Sequence, residues 1–192
     1  MKPIAKKIVA GKYKGKVLKL PSKTTTRSSK GIVLESYFNT LQFEIVDATL
    51  VELFSGSGSI GLEALSRGAK RILFMERDRD ALAVLRANIA QTDPAACEVI
   101  AGDTFETIGQ AVARLKQPGE KAYFFIDPPF SIREGHEDIY DRMITLIARL
   151  PRENVRLITV EHMTALELPD VLGPYVLQKR KKFGKTSLSY YL

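Results

Sequence analysis

Thr49-Leu50-Val51-Glu52-Leu53-Phe54-Ser55-Gly56-Ser57-Gly58-Ser59-Ile60-Gly61 is the stretch on which the fold turns. Its first six residues, apolar but for one acid, read as a buried strand. A run of small residues follows as a tight turn. Leu62, Leu65 and Arg67 then continue as a helix, which Gly68 closes at the C′ position. Strand, glycine-rich turn and helix in that order open a nucleotide-binding βαβ unit. Small side chains let a ligand approach the backbone, and the helix start offers unpaired N–H groups. The G-x-G-x-x-G spacing is weak alone and gains its weight from what lies downstream.

Arg71-Ile72-Leu73-Phe74-Met75-Glu76 reads as a second strand, ending in an acid about twenty residues after Gly56. An acid there accepts both ribose hydroxyls of a bound nucleoside, as in sites for NAD or S-adenosylmethionine. Asp78 caps a helix with Leu82, Leu85 and Ile89 on its apolar face. Cys97-Glu98-Val99-Ile100 is a third strand leading to Gly102-Asp103. Ala111, Val112 and Leu115 mark a helix that Pro118-Gly119 breaks.

The fourth strand, Lys121 to Ile126, stops at Asp127-Pro128-Pro129-Phe130. Neither proline has an N–H to give, so strand pairing ends there and the backbone turns rigidly. A carboxylate and carbonyls fixed beside an aromatic ring suit a flat, polar-edged group such as a nucleobase; the plainer reading is an Asp-Pro turn. Ser131 to His136 reads as a loop, and Ile139, Met143, Ile147 and Leu150 share a helix face. Val155 to Glu161 is a fifth strand, and Tyr175–Lys182 with Lys185–Leu192 make a hairpin about Phe183-Gly184. The fold class is α/β: a mostly parallel sheet with helices on both faces and a C-terminal antiparallel hairpin. Glu52, Glu76, Asp103 and Asp127 end four successive strands and are expected on one rim, facing the glycine turn.

Residues 1–46 read as a small extension to a main domain at 47–192. Ile8 to Leu20 forms a basic hairpin around a Gly-x-x-x-Gly connection, and Val33, Tyr37, Leu41 and Ile45 lie on one helix face. Residues 1–30 hold ten Lys or Arg and no acid, and residues 171–192 hold five and no acid. Between them 14 basic residues face all 22 acids, so the chain is basic at both ends and acidic in the middle. Because the basic ends alternate with apolar and aromatic residues, they read as ordered strands forming a polyanion surface. Edge protection by lysine is the alternative.

No apolar run approaches the roughly 20 residues of a membrane span, and Met1-Lys2-Pro3 leads into no secretory h-region. Cys97 alone makes no internal disulfide, and two histidines supply no convincing metal cluster. The expectation is a cytoplasmic, metal-free monomer.

Glu52-Leu53-Phe54-Ser55-Gly56-Ser57-Gly58, Glu76, Asp103 and Asp127-Pro128-Pro129-Phe130 resemble the motifs of Rossmann-like class I S-adenosylmethionine-dependent methyltransferases acting on exocyclic amino groups. Over nearly its full length the chain is similar to the RsmD family, bacterial methyltransferases that modify guanine N2 in 16S ribosomal RNA. Ile8-Val9-Ala10-Gly11-x-Tyr13-x-Gly15, the helix around Glu35 to Leu41, Gly61 to Arg67 and the terminal hairpin carry that likeness. The Asp-Pro-Pro-Phe motif is specific for amino groups without separating guanine from adenine.

The resemblance implies S-adenosylmethionine as cofactor, held by Glu52, Phe54, Ser55, Gly56, Ser57, Gly58, Glu76, Arg77, Asp103 and Thr104. It gives Glu76 the ribose, and Arg77 and Asp103 the adenine edge. Asp127 and the Pro128 carbonyl orient the target amine, with Pro129 and Phe130 completing the motif. Lys12, Tyr13, Lys14, Arg27, Lys30 and Arg133 are the expected contacts to ribosomal RNA, free or within a small-subunit assembly particle. One departure stands out. The family continues Pro-Thr-x-x-Arg-Val-Arg-Glu where this chain has Ser28-Ser29-Lys30-Gly31-Ile32-Val33-Leu34-Glu35, and a lysine does not replace an arginine fork. Competing readings are a DNA adenine-N6 methyltransferase, an NAD-binding oxidoreductase and a non-catalytic RNA-binding assembly protein. The first lacks a long target-recognition segment, the second leaves Asp127-Pro128-Pro129-Phe130 idle, and the third leaves the glycines and four acids unused.

Overall fold

A computed structural model describes residues 5–21, 31–115, 119–129 and 138–192. Arg27, Lys30, Phe130 and Arg133 lie outside the described residues. In chain order the elements are β1 (Lys6–Lys7), β2 (Val17–Leu18), α1 (Gly31–Leu41), β3 (Thr49–Leu53), α2 (Ser59–Ser66), β4 (Arg71–Glu76), α3 (Arg79–Ile89) and β5 (Cys97–Ala101). They continue with α4 (Thr104–Arg114), β6 (Ala122–Ile126), α5 (Ile139–Ala148), β7 (Val155–Met163), β8 (Val171–Leu172), β9 (Tyr175–Phe183) and β10 (Thr186–Tyr191). Among the described residues no helix is long and apolar enough to cross a membrane.

Strands β3 to β10 form one sheet in the order β5-β4-β3-β6-β7-β10-β9-β8. The first five are parallel and the last three antiparallel. The chain steps outward from β3 through β4 to β5, then returns to the other side of β3 for β6. That reversal makes the carboxyl ends of β3 and β6 the switch point where open α/β sheets bind ligands.

Strand alternation divides the apolar residues between two layers. Val51, Leu53, Phe124, Ile126, Ile158 and Val160 pack toward α4 and α5. Leu50, Tyr123 and Phe125 pack on the other face with α1, α2 and α3, and Ile8 and Leu18 of the N-terminal hairpin join that same cluster. The predicted elements are largely present, with physical exceptions. Helix α1 ends at Leu41 because Gln42 takes a left-handed φ of 46°; a 3₁₀ turn over Gln42–Ile45 still buries Ile45. Strand β7 runs two residues past Glu161. This places His162 inside the sheet, where its ring pairs with Ser189 Oγ at 2.8 Å and Met163 O at 2.9 Å.

Pairing of the N-terminal hairpin starts earlier than its sequence suggests, at Lys6 opposite Leu18. Helices α2 and α3 fasten it. Val9 N and Ala10 N donate to the buried Glu63 carboxylate at 2.7 and 3.1 Å, and Lys12 N donates to Ser66 O at 2.7 Å. Gly11 passes so close that a Cβ would lie 1.8 Å from Ser66 O, at a φ of +82°. At the other end of the chain, Lys181 of β9 donates to Thr40 Oγ1 (2.7 Å) and Ser36 Oγ (3.2 Å) of α1.

Candidate active site

Leu53 and Ile126 are register partners, so the glycine turn leaving β3 and the Asp127-Pro128-Pro129 turn leaving β6 emerge side by side. The chain leaves β3 abruptly because Phe54 adopts a φ of 56°, a left-handed conformation unusual for a residue with a Cβ. Such strain costs on the order of 1–3 kcal/mol and is characteristic of functional turns. Ser55 fixes the next step: Ser55 N donates to Met75 O at 2.9 Å, and Ser55 Oγ donates to Glu52 O at 2.7 Å. The turn then lies close against the layer beneath. A Cβ on Gly58 would meet Leu85 Cδ1 at 2.4 Å, and one on Gly61 would meet Phe74 Cε1 at 2.4 Å. Larger residues would lift α2 off the sheet.

Glu52 is not on the rim where the sequence pattern puts it. It is 4% exposed and points along α2, whose Gly61 N and Ile60 N donate to its carboxylate at 2.7 and 3.4 Å. Burial raises its pKa to about 8, against the pull of those N–H groups and of Lys6. At neutral pH this acid braces the turn from below.

Glu76 ends β4 and gathers three backbone donors. Gly56 N reaches Oε2 at 2.7 Å, and Arg77 N and Asp78 N reach Oε1 at 2.8 Å each. A carboxylate offers about four lone-pair sites. Oε2 therefore keeps room for one further donor. Asp103 caps α4 by accepting from Phe105 N at 2.8 Å, and Thr104 is buried beside it. Arg77 Nη1 donates to Asp103 Oδ2 at 3.2 Å, bridging the ends of β4 and β5. Phe105 meets Phe54 edge-on at 5.6 Å, and the Arg142 guanidinium lies 4.0 Å over the Phe105 ring. Neither Phe105 nor Arg142 was among the expected site residues. A close backbone approach, one open acceptor site on a buried acid and an aromatic wall fit an adenosine-bearing cofactor.

Asp127 is half-buried and Pro128 buried. Because Ile126 pairs with Val160, Asp127 neighbours Glu161, which is 5% exposed at the end of the parallel run of β7. Glu161 closes the fifth strand as read from sequence, so the rule that picked the other four acids would have picked it too, although β7 itself continues to Met163. Burial pushes the phenol of Tyr140 on α5 up to about 12, and the charges of Asp127 and Glu161 push in the same direction. The expected RNA contacts Lys12 and Lys14 are exposed on the hairpin. Tyr13 N donates to Ser66 Oγ at 2.9 Å. Its ring has the Lys12 and Lys16 ammoniums 5.1 and 5.7 Å from the centroid, so its face is edged with positive charge. Burial drives the Cys97 thiol up to about 12, consistent with a packing residue rather than a nucleophile.

With this geometry in hand, a family model described as Conserved hypothetical protein 95 matches residues 6–192. Ribosomal RNA small subunit methyltransferase D of Escherichia coli strain K12 is 32% identical over 189 residues, covering 96% of this chain and 88% of that protein. The chain belongs to the RsmD family. The namesake from Haemophilus influenzae is 34% identical over 145 residues, 73% of this chain and 69% of the relative. Among solved structures, the candidate methyltransferase yhhF from Escherichia coli superposes with a TM-score of 0.74 at 30% identity, covering 98% of this chain and 97% of that one. The RsmD-family chain thus has the class I methyltransferase fold.

Proposed function

We propose that this chain transfers the methyl group of S-adenosylmethionine to the exocyclic N2 amino group of a guanine in 16S ribosomal RNA. The observation that carries this reading is the adjacency of the glycine turn and the Asp127-Pro128-Pro129 turn, set by Leu53 pairing with Ile126. When bound, S-adenosylmethionine supplies an electrophilic methyl group on a sulfonium centre. Gly56 and Gly58 with their backbone neighbours hold its methionine part, Oε2 of Glu76 takes one ribose hydroxyl, and Arg77, Asp103 and Thr104 border the adenine.

An aromatic amine is a poor nucleophile because its lone pair is delocalised into the ring. Asp127 and the Pro128 carbonyl accept its hydrogens, so the nitrogen becomes tetrahedral and turns its lone pair toward the methyl group. Asp127 also receives the proton that the nitrogen sheds. Most of the acceleration on this scheme is positioning and electrostatics. Phe130, from its place in the motif, stacks on the base, which must leave its own stack to reach the site. Residues 1–46 serve as the RNA-facing extension, with Lys12, Tyr13 and Lys14 at its tip and Arg27 and Lys30 as further contacts to phosphate, and Arg133 of the main domain adds another.

The test is methyl transfer from isotopically labelled S-adenosylmethionine to 16S rRNA, to small-subunit particles and to DNA, followed by nucleoside analysis. Label in N2-methylguanosine from RNA is the expected product. Label in N6-methyladenine of DNA, or no transfer to any of the three, contradicts the proposal.

A further inference from the structure

Helix α5 sends one charged side chain away from its own packing face. Ile139, Tyr140, Met143, Leu146 and Ile147 are its buried residues, and Arg142 stands outside that set, exposed. The side chain reaches across to the start of α4, where Asp103, Thr104 and Phe105 follow β5. Its guanidinium lies 4.0 Å from the centre of the Phe105 ring, and Nη2 stands 3.8 Å from Asp103 Oδ1. Arginine suits this double contact, because a planar guanidinium stacks on a ring while it carries its charge to a carboxylate.

Asp103 is thereby held from three directions. Phe105 N donates to Oδ1 at 2.8 Å, Arg77 Nη1 donates to Oδ2 at 3.2 Å, and Arg142 stands beyond hydrogen-bond reach of Oδ1. The two arginines therefore act differently. Arg77 takes a lone pair of Oδ2, whereas Arg142 takes none and holds the carboxylate by charge alone. Phe105 continues the line: its ring meets Phe54 edge-on at 5.6 Å, and Phe54 is the left-handed residue that opens the glycine turn. Arg142 thus joins the acid after β5 to the aromatic wall that leads to that turn. An exposed ion pair of this kind contributes little to folding, so its position is the more telling feature.

We infer that Arg142 is a positioning residue that sets specificity for the base of the cofactor. It keeps the Asp103 carboxylate and the Phe105 ring in place, so that the site takes a purine with an exocyclic amino group and disfavours one with an oxo group there. This rests on S-adenosylmethionine being the cofactor, as proposed above. A carboxylate accepts a hydrogen from an amino group and has none to give to an oxo group, and a site built around such a bond rejects the analogue that cannot make it.

The experiment is calorimetry with S-adenosylhomocysteine and its deaminated analogue S-inosylhomocysteine, for wild type, Arg142→Gln, Asp103→Asn and the double variant. Gln is a good helix former at an exposed position, and Asn keeps the cap on α4. Wild type is expected to favour the amino form by about tenfold or more. In Arg142→Gln that preference shrinks by about fivefold, mostly through weaker binding of S-adenosylhomocysteine. In Asp103→Asn the preference collapses, and adding Arg142→Gln changes it no further, because Arg142 acts through Asp103. A merely structural Arg142 would lower both affinities equally and leave the ratio where it was. That result, or a further change of the ratio in the double variant, overturns the inference alone, as does a wild type that binds the two ligands equally. A wild type that binds neither overturns the cofactor reading together with the inference.

Discussion

Glu52 shows how one residue can be legible in kind and misread in place. Its sequence position suggests a strand-end acid beside Glu76, Asp103 and Asp127. In the structure it is the penultimate residue of β3 and turns under α2. The difference is a matter of direction: only the next residue, Leu53, and the left-handed Phe54 carry the chain out to the rim. The placement has a consequence for stability. In the unfolded chain Glu52 ionises near its ordinary value of 4.5, whereas in the fold it holds its proton up to about 8. Between those values the unfolded state binds fewer protons, so this residue's contribution to stability falls as pH rises through the window and is flat above it. Denaturant unfolding from pH 4 to 9 tests this: the wild-type free energy carries a declining component that Glu52→Gln lacks. Equal pH profiles for the two proteins would mean that Glu52 is ionised in the fold.

At the level of elements, strands and helices with four or more periodic apolar residues were readable from sequence. Strand β4 matches its predicted limits over Arg71–Glu76, and α3 begins after its predicted cap Asp78. Elements with too few residues to show a period were not readable. The two-residue β8 is one case, and the β1 pairing at Lys6–Lys7 is another. Sequence also gave no sign of how firmly the N-terminal hairpin is tied to the glycine turn. Asn88 of α3 makes that tie: fully buried, it accepts from Lys19 N at 2.9 Å and donates to Lys19 O and Ser57 O at 2.9 Å. Asn88→Ala leaves these groups unpaired in the interior and is expected to cost about 2 kcal/mol. It should also weaken S-adenosylhomocysteine and RNA binding together, measured by calorimetry and filter binding. Loss of RNA binding with cofactor binding untouched would show that the hairpin and the turn are not coupled through Asn88.

For the molecule as a whole, charge and topology point to one working face. The basic N-terminal hairpin lies on α2 and α3, and Lys181 ties the basic β9 to α1, so both chain ends reach the same side of the sheet. If that side meets RNA phosphates, log Kd for 16S rRNA rises steeply and linearly with log salt concentration. Each of Lys12 and Lys14, changed to Gln, then lowers the slope by about one phosphate contact. A flat salt response would leave those lysines as edge protection for the hairpin. The class of fold was legible because the succession of strands, turns and helices along the chain is written locally. The hydrogen bond from Lys6 Nζ to Ser59 Oγ beside the glycine turn was not, since it joins positions 53 residues apart.

The most direct test of the central claim compares two quantities in Asp127→Ala, namely the single-turnover rate of methyl transfer to 16S rRNA and the affinity for S-adenosylhomocysteine. The account predicts a rate loss of about 10³-fold or more, from the lost positioning of the amine, with cofactor affinity within a few fold of wild type. Loss of both in equal measure would make Asp127 a residue of the cofactor pocket or of folding. A near-normal rate would place the reacting amine elsewhere.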